Sequence, residues 1–271
     1  YGLTEDDRLL HAGAFNWTYT LGTGLLDPWT AGATALVPAR GVAPEALPLL
    51  LRRHDATIFA AAPGVYRRML RGVDRLDAPR LRHGLSAGEK LADATRAAWD
   101  AATGTPVHEA LGMSECSTFV SGSPAPAGAS GFAQDGRRIA VLDDAGDVLP
   151  RGTPGVLAVH ASDPGLMLGY LGAEDETAAR FSGDWFLTGD MVTMGAAGEI
   201  AYLGRADDMM NAGGVRVSPL EVEAVLATHP GIAEVACAEV TVKADTTVIA
   251  AFYTGPEDVP EAELQAFAGA R

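Results

Sequence analysis

The sequence has few lysines, few cysteines and no long apolar run. Only Lys90 and Lys243 are lysines, and acidic residues outnumber basic ones, giving a net charge of −15. Such a charge disfavours nucleic acid and anionic membrane surfaces as partners. Cys116 and Cys237 are too few for a disulfide scaffold and fit a reducing compartment, so a cytoplasmic location is expected. No apolar run approaches the roughly 20 residues of a membrane span, so none is predicted.

The first part of the chain alternates strand-like and helix-like patterns. The composition is globular, with 48% hydrophobic and 20% charged residues in 271. Buried strands are predicted at 33–37 and 56–60, and helices at 46–54, 63–70 and 91–102. Short strands separated by helices predict a layered α/β sheet subdomain over residues 1–125.

The later part of the chain has a different sequence pattern. Short strands at 138–142, 155–159 and 199–203 are separated by glycine, proline and aspartate turns, which predicts a small antiparallel β-barrel over residues 126–206. Residues 207–271 are predicted as a hinge and a partial α+β C-terminal domain. This domain has a helix at 219–228 and strands near 232–240 and 246–253. A glycine-punctuated junction suits a hinge, because hinges absorb backbone rotation at element ends.

Three short motifs in residues 188–216 suggest nucleotide chemistry. Asp190 follows Thr188-Gly189, and a carboxylate at a glycine turn can accept hydrogen bonds from both hydroxyls of a ribose. Arg205 offers a planar donor fork suited to phosphate or carboxylate. Gly213 and Gly214 permit close approach of a ligand to the backbone. Each motif alone has an ordinary interpretation as a turn or a solvated ion pair.

The order and spacing of these motifs resemble the adenylate-forming superfamily, which includes acyl- and aryl-CoA synthetases, peptide-synthetase adenylation domains and luciferase. The segment HGLSAGEKL at 83–91 resembles its adenine-contacting loop. The segment PVHEALGMSE at 106–115 resembles its YGxTE signature, with Leu111 and Ser114 at the tyrosine and threonine positions. The segments DPGLMLGYL and NAGGVRVSPLEVE are similar to the benzoate-CoA-ligase-like branch.

The resemblance implies a role for each motif residue. It implies catalytic roles for Ser114, Glu115 and Asp207, with Glu115 as the metal-proximal carboxylate and Asp207 as the hinge. The nucleotide-binding residues that it implies are Gly88, Glu89, Glu109, Ala110, Leu111, Gly112, Met113, Asp190 and Arg205. It implies CoA binding by Gly213, Gly214 and Arg216, and an acyl pocket formed by Phe15, Asn16, Trp17, Tyr19 and Ala87. Without the motif, Ser114 and Glu115 would fit a helix N-cap pair, and the aromatic cluster would fit an ordinary core.

The implied activity is that of an AMP-forming acid–thiol ligase. Such an enzyme activates a small carboxylic acid with ATP and Mg2+ and passes the acyl group to CoA; a homodimer is also compatible. Two alternatives stay open, namely loading of a carrier-protein thiol and a non-catalytic remnant of the fold. The family's phosphate loop and C-terminal catalytic lysine have no counterpart in this sequence. We therefore expect an internal stretch of a longer synthetase, with no turnover from residues 1–271 alone.

Overall fold

A five-stranded parallel sheet forms the first layer of the protein. The computed structural model describes residues 1–117, 119–122, 129–212, 215–243, 246–256 and 258–270. The strands lie in the order β2-β1-β3-β4-β5, and every pairing between them is parallel. Their bounds are β1 Arg8–His11, β2 Thr34–Leu36, β3 Ile58–Ala61, β4 His83–Ala87 and β5 Val107–Ala110.

Helices cover the two faces of this sheet, as the predicted layered α/β architecture requires. On one face, Tyr66 and Trp99 pack with Phe59 of β3. On the other face, Tyr19 packs against β1, β3 and β4. The helical segments are α1 Thr18–Leu21, a π-helical turn Gly22–Leu26, α2 Asp27–Thr30, a 3-10 turn Pro44–Ala46, α3 Leu47–Arg53, α4 Pro63–Leu70 and α5 Asp93–Thr103.

Some local predictions need correction. The segment at 33–37 was predicted as a buried strand, but β2 is an edge strand with Thr34 exposed, because β1 is its one partner among the described strands. The predicted adenine loop begins as strand β4, whose five residues are all buried, so the loop proper starts at Gly88. The sequence patterns did not predict β1 or the helical run at 18–30.

An antiparallel sheet forms the second unit and corresponds to the predicted barrel. The order β10-β11-β9-β8 is extended by β12, which also pairs with β11, and the sheet curls around Phe186, Leu157 and Ile200. A short hairpin of β6 and β7 precedes it. The bounds are β6 Ser121–Gly122, β7 Phe132–Ala133, β8 Ile139–Leu142, β9 Gly155–His160, β10 Phe181–Ser182, β11 Trp185–Met194 and β12 Ile200–Arg205, with a 3-10 turn Ser114–Cys116 and helix α6 Glu174–Ala178.

The C-terminal segment has its own small core around Met210, Leu226 and Cys237. The helix predicted at 219–228 is present as α7, and the two predicted strands pair as an antiparallel hairpin, whereas α8 was not predicted. The bounds are β13 Met210–Ala212, β14 Val215–Val217, α7 Pro219–Leu226, β15 Glu234–Lys243, β16 Thr246–Thr254 and α8 Glu261–Gly269. None of the helices in the described ranges is long and apolar enough to cross a membrane. The domain boundaries near 125 and 207 stay predictions, and residue 125 lies outside the described residues.

Candidate active site

A cleft of about 810 Å3 lies where the ends of β4 and β5 face β11, β12 and the C-terminal segment. All the residues predicted to bind nucleotide line this cleft, and so does Asp207. Parallel strands end at a common edge of their sheet, which is where open α/β folds usually bind ligands. The fold thus joins the motifs at 88–89, 109–113 and 190–205 into one site.

The loop after β4 is held in place from two sides. Gly88 has φ +100°, and a Cβ atom there would lie 2.7 Å from the Trp17 indole, so the position requires glycine. From the other side, the Glu109 carboxylate accepts a hydrogen bond from Leu91 N at 2.9 Å and pairs with Arg96. Glu109 therefore lines the cleft while its carboxylate fixes the shape of this loop.

Asp190 and Arg205 form the opposite wall. Asp190 is 8% exposed, and its Oδ1 accepts a hydrogen bond from Arg205 Nη1 at 3.1 Å. Burial raises the pKa of Asp190, and the nearby guanidinium of Arg205 offsets this rise only in part. Asp190 was predicted on a tight turn, but it lies inside strand β11 beside a β-bulge, where Gly189 has φ +78°. A side chain at Gly189 would collide with Arg205.

Ser114 and Glu115 do not line the cleft themselves, but they directly follow its lining residue Met113 in the sequence. The N-cap of their 3-10 turn is Met113 without a side-chain hydrogen bond, so the alternative in which Ser114 caps a helix is wrong. Instead, the hydroxyl oxygens of Ser114 and Thr18 lie 3.0 Å apart. Glu115 Oε1 accepts a hydrogen bond from the Tyr170 hydroxyl at 2.9 Å. Among the described residues, no three His, Cys, Asp or Glu side chains are grouped as a metal site.

A second pocket of about 520 Å3 adjoins the cleft, and Ala110 lines both cavities. Of the predicted acyl-pocket residues, only Tyr19 lines this pocket. Phe15, Asn16 and Trp17 are exposed, and Ala87 is buried in the sheet core. The pocket is also lined by residues that were not predicted, namely Leu85, Ser86, Ser117, Phe119 and Arg137. Leu85 and Ser86 stand in the quoted 83–91 motif, but an isolated motif does not say which side chains face a cavity.

The predictions include only some of the residues that form the C-terminal wall of the cleft. Asp207 lies in the turn after β12 and its side chain is 74% exposed, 3.3 Å from Arg205 Nε. The predicted CoA-binding residues Gly213 and Gly214 lie outside the described residues, and so does the side chain of Arg216. The cleft also contains Tyr202 and Cys237, which no motif indicated, and Glu223, which ends the quoted NAGGVRVSPLEVE segment but was not predicted as a site residue.

Comparison with known proteins identifies this arrangement. The profile of a family described as AMP-binding enzyme matches residues 1–171, well over half of the chain. The chain belongs to the AMP-binding enzyme family. The predicted resemblance is confirmed, and the relatives below include the benzoate–CoA ligase that the sequence motifs suggested.

Curated and solved relatives cover nearly the whole chain. The sequence is 34% identical over 241 residues to the benzoate–CoA ligase of Thauera aromatica, which covers 87% of this chain and 45% of the relative. A solved anthranilate CoA ligase in complex with anthranoyl-AMP is 31% identical with TM-score 0.84, covering 98% of this chain and 52% of the other. ATP-bound MatB from Rhodopseudomonas palustris is 27% identical with TM-score 0.89, covering 99% and 54% respectively. The chain therefore spans about half the length of these relatives.

Proposed function

We propose that this AMP-binding family chain supplies the nucleotide and adenylate site of an acyl- or aryl-CoA synthetase. In the proposed reaction a carboxylate oxygen attacks the α-phosphorus of ATP, which gives an acyl-adenylate and pyrophosphate. The thiolate of CoA then displaces AMP and forms the thioester. The observation that carries this proposal is the single cleft that joins the adenine loop, the end of β5 and the Asp190–Arg205 pair.

The cleft offers each part of AMP a suitable surface. Gly88, Ala110 and Gly112 leave room for a flat purine, because neither glycine nor alanine projects far into the cleft. Asp190 directs a carboxylate into the cleft, and such a group can accept hydrogen bonds from both ribose hydroxyls. Arg205, which pairs with Asp190, adds a permanent positive charge that attracts an anionic ligand.

Glu115 suits Mg2+ as a single protein ligand. Magnesium prefers hard oxygen donors and keeps most of its waters, so one carboxylate together with nucleotide phosphates is sufficient. When bound, the ion would neutralise part of the phosphate charge that opposes attack by a carboxylate. The absence of a larger ligand cluster in the described ranges is compatible with such a site.

We propose the second pocket as the acyl site. It shares Ala110 with the nucleotide cleft, so an acid bound there would present its carboxylate next to the nucleotide. Tyr19, Phe119 and Leu85 give it an aromatic and apolar wall. An aromatic or medium aliphatic acid fits this wall, and the benzoate and anthranoyl groups named for the relatives support the aromatic class.

The remaining parts of the proposal concern the thiol, the compartment and the assembly. CoA binding by Gly213, Gly214 and Arg216, the hinge at Asp207 and a homodimer stay predictions. A cytoplasmic location is supported by Cys116 and Cys237, which are both unpaired.

Calorimetric titration of AMP into the 271-residue protein tests the nucleotide site. We expect saturable binding of AMP and at least tenfold weaker binding of CMP, because the adenine loop contacts the base. CMP is the matched control, since it keeps the ribose and the phosphate. Absence of AMP binding, or equal affinity for both nucleotides, would refute the proposal.

A further inference from the structure

Segment 163–171, DPGLMLGYL, is anchored against the turn that carries Glu115. Met167 N donates a hydrogen bond to Glu115 O at 2.7 Å, and Ser117 Oγ donates to Gly165 O at 2.8 Å. At its start, the buried Asp163 accepts a hydrogen bond from Gly165 N at 2.8 Å. The segment and the turn therefore form one hydrogen-bonded unit.

Tyr170 points inward within a stretch whose neighbours point outward. Leu168 and Leu171 are fully exposed, whereas Tyr170 is half-buried. Its amide donates to Thr177 Oγ1 at 2.9 Å, and Thr177 in turn bonds to Ala173 O at the start of α6. Tyr170 O accepts a hydrogen bond from Ala173 N at 3.2 Å, so the backbone is fixed on both sides of Tyr170, and its phenol is directed at Glu115.

The phenol gives Glu115 a partner without charge. The carboxylates of Glu109 and Asp190 both pair with arginines, but in the described part of the chain the Glu115 carboxylate has only the Tyr170 hydroxyl as a partner. The phenol carries its own proton and donates it to Glu115 Oε1 at 2.9 Å, so it adds no charge of its own to the pair. Oε1 is therefore held while the negative charge of Glu115 remains available to a cation.

We propose that Tyr170 is a positioning residue that holds Glu115 for a magnesium–phosphate complex. The hydrogen bond fixes Oε1 and so aims Oε2, and a pre-oriented ligand loses less conformational freedom when the ion binds. A lysine or arginine in place of Tyr170 would also orient the carboxylate but would neutralise it. This inference rests on the proposed function, because it needs Glu115 to serve the nucleotide-bound ion.

The test compares ATP and AMP binding in four proteins by calorimetry, with and without Mg2+. The proteins are the wild type, Tyr170→Phe, Glu115→Gln and the double variant. We expect Tyr170→Phe to lower the Mg2+-dependent gain in ATP affinity about fivefold, which is the size of effect that the loss of one typical hydrogen bond produces. AMP affinity without metal should not change. Glu115→Gln should abolish most of the gain, and the double variant should lose no more than Glu115→Gln alone.

A matched control is Tyr253→Phe, which removes another phenol hydroxyl that is hydrogen-bonded to Val259, away from the cleft. It should leave the Mg2+-dependent gain intact. Additive losses in the double variant, or an equal loss of AMP affinity in Tyr170→Phe, would mean that Tyr170 only supports the fold and would overturn the inference. A Mg2+ gain that depends on Glu115 but not on Tyr170 would overturn it while leaving the proposed function standing. Failure of wild-type AMP binding would instead remove the proposed function.

Discussion

Two buried aspartates are each paired with an arginine, one at the parallel sheet and one in the cleft. Asp7, just before β1, receives two hydrogen bonds from Arg82 at 2.8 and 2.7 Å. It also receives hydrogen bonds from the Thr57 hydroxyl at 2.7 Å and from Thr4 N at 2.8 Å. Asp190 has one arginine contact within the described ranges, to Arg205 Nη1 at 3.1 Å. The two residues are buried to a similar degree, but only Asp7 has its acceptor positions filled.

This difference moves their pKa values in opposite directions. Burial alone would raise the pKa of Asp7, but the hydrogen bonds from Arg82, Thr57 and Thr4 outweigh it and the pKa lies well below its usual value. For Asp190, burial prevails and the pKa is raised. A carboxylate whose acceptor positions are all hydrogen-bonded stabilises the fold. A buried carboxylate with open acceptor positions costs folding free energy, and a ligand that fills those positions can offset this cost. Glu109, which lines the cleft but is held by Leu91 and Arg96, resembles Asp7 in this respect.

The largest effect is expected for Asp7→Ala. Removing the carboxylate takes away the ion-pair partner of Arg82 and the nearest acceptor of the Thr57 hydroxyl, so the free energy of unfolding should fall by about 3 kcal/mol. Urea denaturation measures it. Asp77→Ala is the matched control, because its ion pair with Arg52 is exposed and should be worth less than about 1 kcal/mol. Similar losses in the two variants would contradict the structural role of Asp7.

Glu109→Gln tests whether a fully hydrogen-bonded carboxylate that lines the cleft contributes to stability and not to nucleotide binding. The amide can accept from Leu91 N but loses the charge that pairs with Arg96, so unfolding should become easier by about 2 kcal/mol. AMP affinity at a temperature well below melting should change less than about threefold. If affinity falls strongly without loss of stability, Glu109 contacts the nucleotide directly and the comparison with Asp7 fails.

Asp190→Ala should have the reverse profile, with little loss of stability and about tenfold weaker AMP binding, because two ribose hydroxyls lose their acceptor. The ligand 2′-deoxy-AMP sharpens the test. The wild type should bind it several-fold more weakly than AMP, and Asp190→Ala should bind both equally. Asp184→Ala, in the exposed turn before β11, is the control for removal of one negative charge. Continued discrimination by Asp190→Ala would eliminate the ribose assignment.

Strand and helix patterns predicted the fold well where one face of an element is buried. The predicted helix at 63–70 agrees with α4 in both bounds, because Pro63 can start a helix and the apolar positions face the sheet. The segment at 33–37 was misjudged because an apolar edge strand and an apolar central strand look alike in sequence. Only the order of the strands, which is a tertiary property, distinguishes the two.

The candidate site was predictable where residues stand in a motif and unpredictable where partners come from distant segments. The set of residues predicted to bind nucleotide follows from short motifs, and all of it lines the cleft. Tyr170 is 55 positions from Glu115, and no local spacing links them. The bulge at Gly189 was read as a turn because Thr-Gly-Asp is an ordinary turn sequence and the pairing with β9 and β12 is not visible locally.

The opposite pKa shifts of the two aspartates predict opposite pH effects on stability. The stabilisation from Asp7 is present above its unfolded pKa of about 3.9 and is lost as pH falls toward the folded value. Asp190 lowers the free energy of unfolding as pH rises from its unfolded pKa of about 3.9 through its raised folded pKa, because burial disfavours the charged carboxylate. The melting temperatures of Asp7→Asn and Asp190→Asn should therefore differ from that of the wild type with opposite signs once both carboxyls are ionised. Asp7→Asn should melt lower and Asp190→Asn higher. Matching signs would show that Arg205 satisfies Asp190 as fully as Arg82 satisfies Asp7.

The smallest effect is expected for Asp207→Ala, which separates the two carboxylates that share Arg205. Asp207 lies 3.3 Å from Arg205 Nε, but its side chain is 74% exposed, so water screens the pair and competes for its donors. Its loss should change the free energy of unfolding by less than about 0.5 kcal/mol and AMP affinity by less than about twofold. Because Arg205 Nη1 keeps its bonds to Asp190 and to Thr188 O, the guanidinium should stay in place. The same calorimetric titration used for Asp190→Ala measures this. A loss as large as that of Asp190→Ala would mean that the exposed carboxylate of Asp207 is also needed to orient Arg205 in the cleft.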